Sequence, residues 1–194
     1  MAAPSLPVAV IGGGPAGVMA AEVGSAAGWP VVLCEQLPSV GRKLLMAGRG
    51  GLNLTHSEPL EQLLRHYGPA RSRLEAALRA FDNIAVRQWC EGLGEATFVG
   101  SSGRVFPHAL KASPLLRAWL ARLHRQGVVI RTRTTWRGFA APRELVVTDA
   151  DGSTGTLATR ATILAMGGAS WPRLGSDGRW VAALAGHDLP VRPL

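Results

Sequence analysis

Close to the start of the chain, Gly12-Gly13-Gly14-Pro15-Ala16-Gly17 holds the spacing G-x-G-x-x-G. Glycines so spaced suit a strand-to-helix turn that must pass close to a diphosphate. Gly12 takes the tight turn, Gly14 lets the backbone approach the phosphates, and Gly17 lets the helix sit close on its sheet. Pro15 and Ala16 open the helix, where the missing N–H of a proline costs nothing. The free N–H groups and the positive end of the helix dipole then face the anion. Seventeen residues separate Gly17 from Glu35, the region in which this fingerprint carries a ribose-binding acid. A carboxylate there accepts hydrogen bonds from both ribose hydroxyls and repels a 2′-phosphate, which disfavours NADP. Gln36 adjoins it as a further candidate contact.

A second group of polar residues follows. Arg42 and Lys43 stand together after Gly41, in a glycine-rich stretch from Pro38 to His56 read as a loop with one helical turn around Leu44 to Ala47. Arg42 brings a planar fork and Lys43 a mobile point charge, both suited to phosphate or ribose. Asn53, Thr55 and His56 add amide, hydroxyl and imidazole. His56, His66, His108, His124 and His187 have no metal-ligand spacing, so no metal site is expected and no catalytic acid or base stands out.

The elements that must position these residues can be read from the pattern. Val8 to Ile11 and Val31 to Glu35 are strands around a helix from Pro15 to Ala27, the opening of a parallel sheet. Helices follow over Glu58–Tyr67, Ala70–Phe81 and Ile84–Leu93. After an extended Gly103–Pro107, a helix runs from Ser113 to Gln126 with Trp119 on its apolar face. Val128 to Arg131 is a third parallel strand. Trp136–Ala140, Leu145–Asp149 and Thr156–Thr159 form a small antiparallel meander, and Ala161 to Ala165 returns to the sheet.

Composition narrows the classes. The net charge is +8 and the pI near 11.1, yet 19 of the 21 basic residues are arginines scattered from Arg42 to Arg192. A scatter of that kind does not build a nucleic-acid face. No apolar run is long enough for a membrane span, and the start lacks the cationic stretch of a signal peptide. Cys34 and Cys90 are too far apart for a Cys-x-x-Cys pair and suit a reducing, cytoplasmic setting.

With these motifs the chain resembles the flavoprotein family of aminoacetone oxidase and the bile-acid reductase BaiN. The resemblance rests on the Gly12–Gly17 turn, the Gly41-Arg42-Lys43 segment, and Gly103-Arg104-Val105-Phe106-Pro107 with Lys111-Ala112-Ser113. It extends to Gly167-Gly168-Ala169-Ser170-Trp171-Pro172, Gly175-Ser176-Asp177-Gly178, Gly186-His187 and Pro193-Leu194. Membership implies an α/β, Rossmann-like FAD-binding domain over residues 1–194, with FAD bound at Gly12–Gly17, Glu35 and the Arg42 loop. The strand ending Ala165-Met166-Gly167 resembles the second flavoprotein motif, which makes Ala165 and Gly167 cofactor contacts. It also implies hydride transfer through flavin N5 to or from a small-molecule substrate, with NAD(P)H as a candidate electron donor. Members are longer, so the domain is expected to be incomplete, without its substrate domain and C-terminal return segment. Apolar faces of the sheet and of a Trp180–Leu184 helix are then expected to stand uncovered.

Two departures mark a divergent subfamily. Arg49-Gly50-Gly51-Leu52-Asn53 replaces a Gly-Gly-Gly-Arg-Cys-Asn run, and Met166 stands where threonine is common. Read from the residues alone, an NAD-binding Rossmann enzyme without flavin and a non-catalytic dinucleotide-binding module stay open beside the FAD enzyme.

Overall fold

The computed structural model describes residues 5–185 together with 187, 189 and 191. Gly186, Pro193 and Leu194, part of the family pattern above, lie outside the described residues. In chain order the elements are β1 (Val8–Ile11), α1 (Pro15–Ala26), β2 (Val31–Glu35), α2 (Arg42–Ala47), β3 (Thr55–His56), α3 (Leu60–Arg65), α4 (Arg71–Ala80), α5 (Asn83–Gly92), β4 (Thr97–Val99), β5 (Arg104–Pro107), α6 (Ala112–Arg125), β6 (Val129–Thr132), β7 (Thr135–Ala141), β8 (Glu144–Thr148), β9 (Thr154–Ala158), β10 (Ala161–Leu164) and α7 (Trp180–Ala183). They divide into two compact units, Met1–Leu44 with Ala121–Leu194, and Leu45–Leu120. No helix among the described residues is long and apolar enough to cross a membrane.

The first unit is built on a four-stranded sheet of order β10-β1-β2-β6, every neighbour parallel. All five residues of β2 are buried, as a central strand covered on both sides requires. The side chains alternate in direction, so each face has its own cover. On one, Gly17 and Gly24 bring α1 against the sheet: a methyl group added there would come within 3.3 Å of Val10 and 3.2 Å of Val31 respectively. The Arg122 guanidinium donates to Glu22 at 2.7 Å, and Ser25 donates to Gln126 at 2.9 Å, joining the end of α6 and the residue after it to α1. On the other face, Ala9, Ile11, Val32 and Cys34 form a cluster with Trp136, Leu145, Val147 and Leu184.

That cluster corrects the expectation of an uncovered sheet. The antiparallel meander β7-β8-β9 lies over this face, and Trp180, Ala183 and Leu184 pack into the same cluster. The meander's alternation supplies the reason, since Trp136, Leu145 and Val147 all point to one side and are buried.

In the second unit, β3, β5 and β4 form an antiparallel sheet. Neither Thr55–His56 nor Thr97–Val99 is foreseen as a strand, because two or three residues carry no readable periodicity. Asp82 caps α5 by accepting the Ala85 N–H at 2.8 Å. Trp89 and Trp119 meet edge to face at 4.7 Å. The buried Asn83 donates its amide to the carbonyls of His56 and Glu58.

Candidate functional site

A cavity of about 880 Å³ lies in the first unit, at the carboxyl ends of β1, β2 and β10. This is where ligands bind in open parallel sheets, and the volume is within the usual range for small-molecule sites. Its wall includes the turn from Gly12 to Ala16, Cys34 to Leu37, Gly41 to Lys43, the start of β7, Ala165 to Gly167, and a late loop ending at α7.

The three motif glycines answer different demands. Gly12 has φ +108°, and a Cβ there would sit 2.5 Å from the Ala165 carbonyl oxygen; a Cβ on Gly17 would collide with the Gly12 carbonyl oxygen at 1.8 Å. A Cβ on Gly14 would meet nothing within 4 Å. The N-cap of α1 is Gly14, with no side-chain cap and no acid in the first turn, which leaves those N–H groups for a ligand.

Glu35 ends β2 with both carboxylate oxygens anchored. Oε2 accepts the Gly13 N–H and Oε1 the Leu37 N–H, each at 2.7 Å. An ionised carboxylate has about four acceptor sites, so capacity remains on each oxygen toward the cavity. The backbone holds this strand end from the far side as well, with Thr134 N–H donating to the Glu35 carbonyl and Arg133 N–H to that of Leu37. Arg131 and Thr134 both donate to Asp149, which fixes the β6–β7 turn.

Past Gly41, whose N–H donates to the Gly13 carbonyl at 2.7 Å, the expected loop is helical from Arg42 onward. Arg42 and Lys43 therefore occupy the first turn of α2, where cations oppose the helix dipole. Arg42 Nη1 reaches Ser39 Oγ at 3.4 Å. The Lys43 ammonium donates to Ser170 at 3.2 Å and to Ser176 at 3.1 Å. The Gln36 amide donates to the Gly175 carbonyl at 2.9 Å.

Among the residues singled out from sequence, Gly12, Gly14, Pro15, Ala16, Glu35, Gln36, Arg42, Lys43, Ala165 and Gly167 line the cavity. Gly17 lies beneath it as a packing glycine. Asn53 belongs to the other unit and is not in this wall. Sequence reading missed Thr134, Trp136, Arg137, Ser176, Arg179 and Trp180, all in the wall. Of these, Ser176 stands in the Gly167–Gly178 run and Arg179 and Trp180 just after it, but nothing in the type of Ser176 announced its contact with Lys43. Met166 has a physical reason: it packs against the apolar cluster under the meander.

The wall suits an extended anion with an apolar part. It carries Arg42, Lys43, Arg137 and Arg179 against Glu35 and Asp177, and Arg179 is paired with Asp177. Two wall residues hold buried donors with no hydrogen-bond partner among the described residues, Arg42 Nε and Trp136 Nε1, an uncommon state in a protein interior. Cys34, also in the wall, has its thiol pushed up to about 11 by burial, with Arg131 opposing and Asp149 adding to the rise. It is a protonated, inert group at neutral pH. No group of three or more metal-binding side chains occurs among the described residues.

Comparison with known proteins gives three kinds of likeness. The HI0933-like protein Rossmann domain matches residues 6–194. The 3-dehydro-bile acid delta(4,6)-reductase of Clostridium scindens is 30% identical over 191 residues, covering 96% of this chain and 46% of the relative; the chain thus spans about half that relative's length. Among solved structures, a 3-ketosteroid-delta4-(5alpha)-dehydrogenase from Rhodococcus jostii RHA1 superposes with a TM-score of 0.59 at 15% identity, over 84% of this chain and 46% of the other. THI4 of Thermovibrio ammonificans gives 0.57 at 15% identity, over 84% and 58%. These two likenesses speak for the fold alone.

Proposed function

From the premise that this chain belongs to the HI0933-like Rossmann-domain family, whose cofactor is FAD, we infer that the cavity binds FAD as the cofactor-binding part of an oxidoreductase. The diphosphate lies against Gly12, Gly14 and the first turn of α1, with Pro15 and Ala16 beneath it. Glu35 and Gln36 face the adenosine ribose, Arg42 and Lys43 neutralise phosphate charge, and Ala165 and Gly167 border the cofactor from β10. Residues 1–194 act in this reading as one FAD-binding region. The observation that carries it is the open space in front of Gly14, between an uncapped helix start and an anchored carboxylate.

Bound FAD supplies flavin N5 as the atom that accepts or delivers a hydride. The chain's own contribution is orientation and charge. Backbone N–H groups and the two cations hold the diphosphate, and Trp136, Leu164, Met166 and Trp180 offer apolar surface to the cofactor. The substrate is a small organic molecule, and reduced nicotinamide nucleotide serves as electron donor.

Two glycine substitutions separate this role from folding. Gly14→Val points its side chain into the open space and is expected to abolish FAD retention with little change in melting temperature. Gly17→Ala drives a methyl into the Gly12 carbonyl and is expected to lower the melting temperature by several degrees, on the order of 1–3 kcal/mol. Fluorescence titration with FAD and thermal denaturation read the two effects. Wild-type FAD affinity in a folded Gly14→Val protein sinks the assignment.

A further inference from the structure

We propose that Ser176 is a positioning residue for Lys43, fixing its ammonium as an anion-binding charge in the cavity without cancelling that charge. The proposal rests on the reading of the cavity as a dinucleotide site and adds a residue which that reading does not contain.

An ammonium group has three N–H donors. For Lys43, two go to the hydroxyls of Ser170 and Ser176, and no carboxylate pairs with it among the described residues. The distinction matters energetically. A carboxylate would orient the ammonium and neutralise it, whereas a hydroxyl orients it and leaves its full charge for a third, anionic partner. Ser176, Lys43 and Gly167 all belong to the cavity wall.

Of the two hydroxyls, that of Ser176 is the fixed one. Ser176 is 4% exposed, whereas Ser170 lies on the surface. The Ser176 hydroxyl donates to the Gly168 carbonyl at 2.7 Å, which spends its only proton and turns its lone pairs toward Lys43. Backbone bonds in both directions between Trp171 and Ser176 close the loop on itself. Gly175, at φ +82°, lies so near Gln36 that a Cβ would approach its amide nitrogen to 2.9 Å, and Gln36 donates to the Gly175 carbonyl. At Gly167, φ +73°, a Cβ would come within 3.2 Å of the Ser176 oxygen and 3.8 Å of the Lys43 nitrogen, so the glycine leaves the ammonium's surroundings open. The lysine on α2 is thus aimed by a serine 133 positions later.

The test measures FAD dissociation constants at low and high ionic strength for wild type, Ser176→Ala, Ser176→Cys, Lys43→Met and the Ser176→Ala/Lys43→Met pair. Loss of the aiming hydroxyl is expected to weaken FAD binding about three- to tenfold at low salt, the scale of one hydrogen bond, with a shallower salt dependence. In the Lys43→Met background the serine substitution is expected to add nothing, because its effect runs through the lysine. Ser176→Cys keeps the volume and carries the same prediction should the alanine variant fold poorly. Full additivity of the two substitutions, or wild-type affinity and salt slope in Ser176→Cys, overturns the proposal. Wild-type affinity in Lys43→Met also overturns it, and places the fault in the functional reading that sets Lys43 at the phosphates rather than in the role of Ser176.

Discussion

The place of Glu35 at the end of β2, in the cavity wall, was legible from its spacing to Gly17, but its two backbone hydrogen bonds were not, since no sequence pattern reports where a strand-end carboxylate turns; its role as a ribose contact is part of the proposal. Those bonds change what its substitution does. Glu35→Ala is expected to weaken FAD binding at least tenfold, the scale of a charge-assisted hydrogen bond. It also leaves the Gly13 and Leu37 N–H groups without their acceptor, at a stability cost of about 1–3 kcal/mol. Glu35→Gln keeps one oxygen and should regain part of the melting temperature while FAD affinity stays low; calorimetry beside titration separates the two. Unchanged affinity in both variants would reduce Glu35 to a brace for the glycine turn. The cysteines give a different readout. Burial is the first cause of raising both thiols from 9.0 to about 11, with nearby Glu95 and Glu91 adding to the rise for Cys90. Between those values the folded state holds protons that the unfolded state has lost, so stability is fully present below pH 9 and declines as pH rises toward 11. Thermal melts across that window should fall, and fall less in Cys34→Ala and Cys90→Ala once each is referenced to its own melt at pH 7.

At the scale of elements, long or strongly β-branched segments were readable and short ones were not. Val8–Ile11 and Val31–Glu35 stand where their apolar runs place them, punctuated by glycine and proline. Helix α2 was read mostly as loop because glycines flank it and six residues are too few to show a period. Its start shows why propensity misled: two cations at the positive end of a helix dipole are locally unfavourable, and such a conflict is tolerated where function needs the charge. The meander was read correctly as strands, but its place over the sheet depends on which side Trp136 and Leu145 face after the short turn between β6 and β7. That placement makes the meander a structural wall of the cavity. Leu145 is fully buried in it, and Leu145→Ala is expected to cost about 2–5 kcal/mol, seen as a lower urea midpoint. FAD added in excess should restore part of that loss, because a ligand bound only by the folded state stabilises it by mass action. No shift of the midpoint with FAD would mean that the folded variant does not hold the cofactor.

For the whole molecule, the charge of +8 bears on how an anionic cofactor arrives. A positive surface attracts a diphosphate from beyond contact distance, and salt shortens that reach to about 8 Å at physiological ionic strength. Stopped-flow association of FAD is therefore expected to slow severalfold between roughly 0.02 and 0.2 M salt, with the dissociation rate changing less. A salt-independent association rate would leave the arginines to solubility alone. Spread over the whole surface, that charge was readable as a number but not as a field around one cavity, because its shape depends on where the fold sets Arg137 and Arg179. The chain's order of assembly follows from the sheet. β1 and β2 leave the ribosome before their sheet neighbours, since β2 pairs with β6 at Val32–Val129 and β1 with β10 at Val8–Ala161, and the whole Leu45–Leu120 unit is made in between. At 5–20 residues per second, two strands destined for the interior wait on the order of ten seconds for their neighbours. During that interval the nascent protein is a natural client for chaperones, and the more local contacts of the inserted unit give it time to settle first.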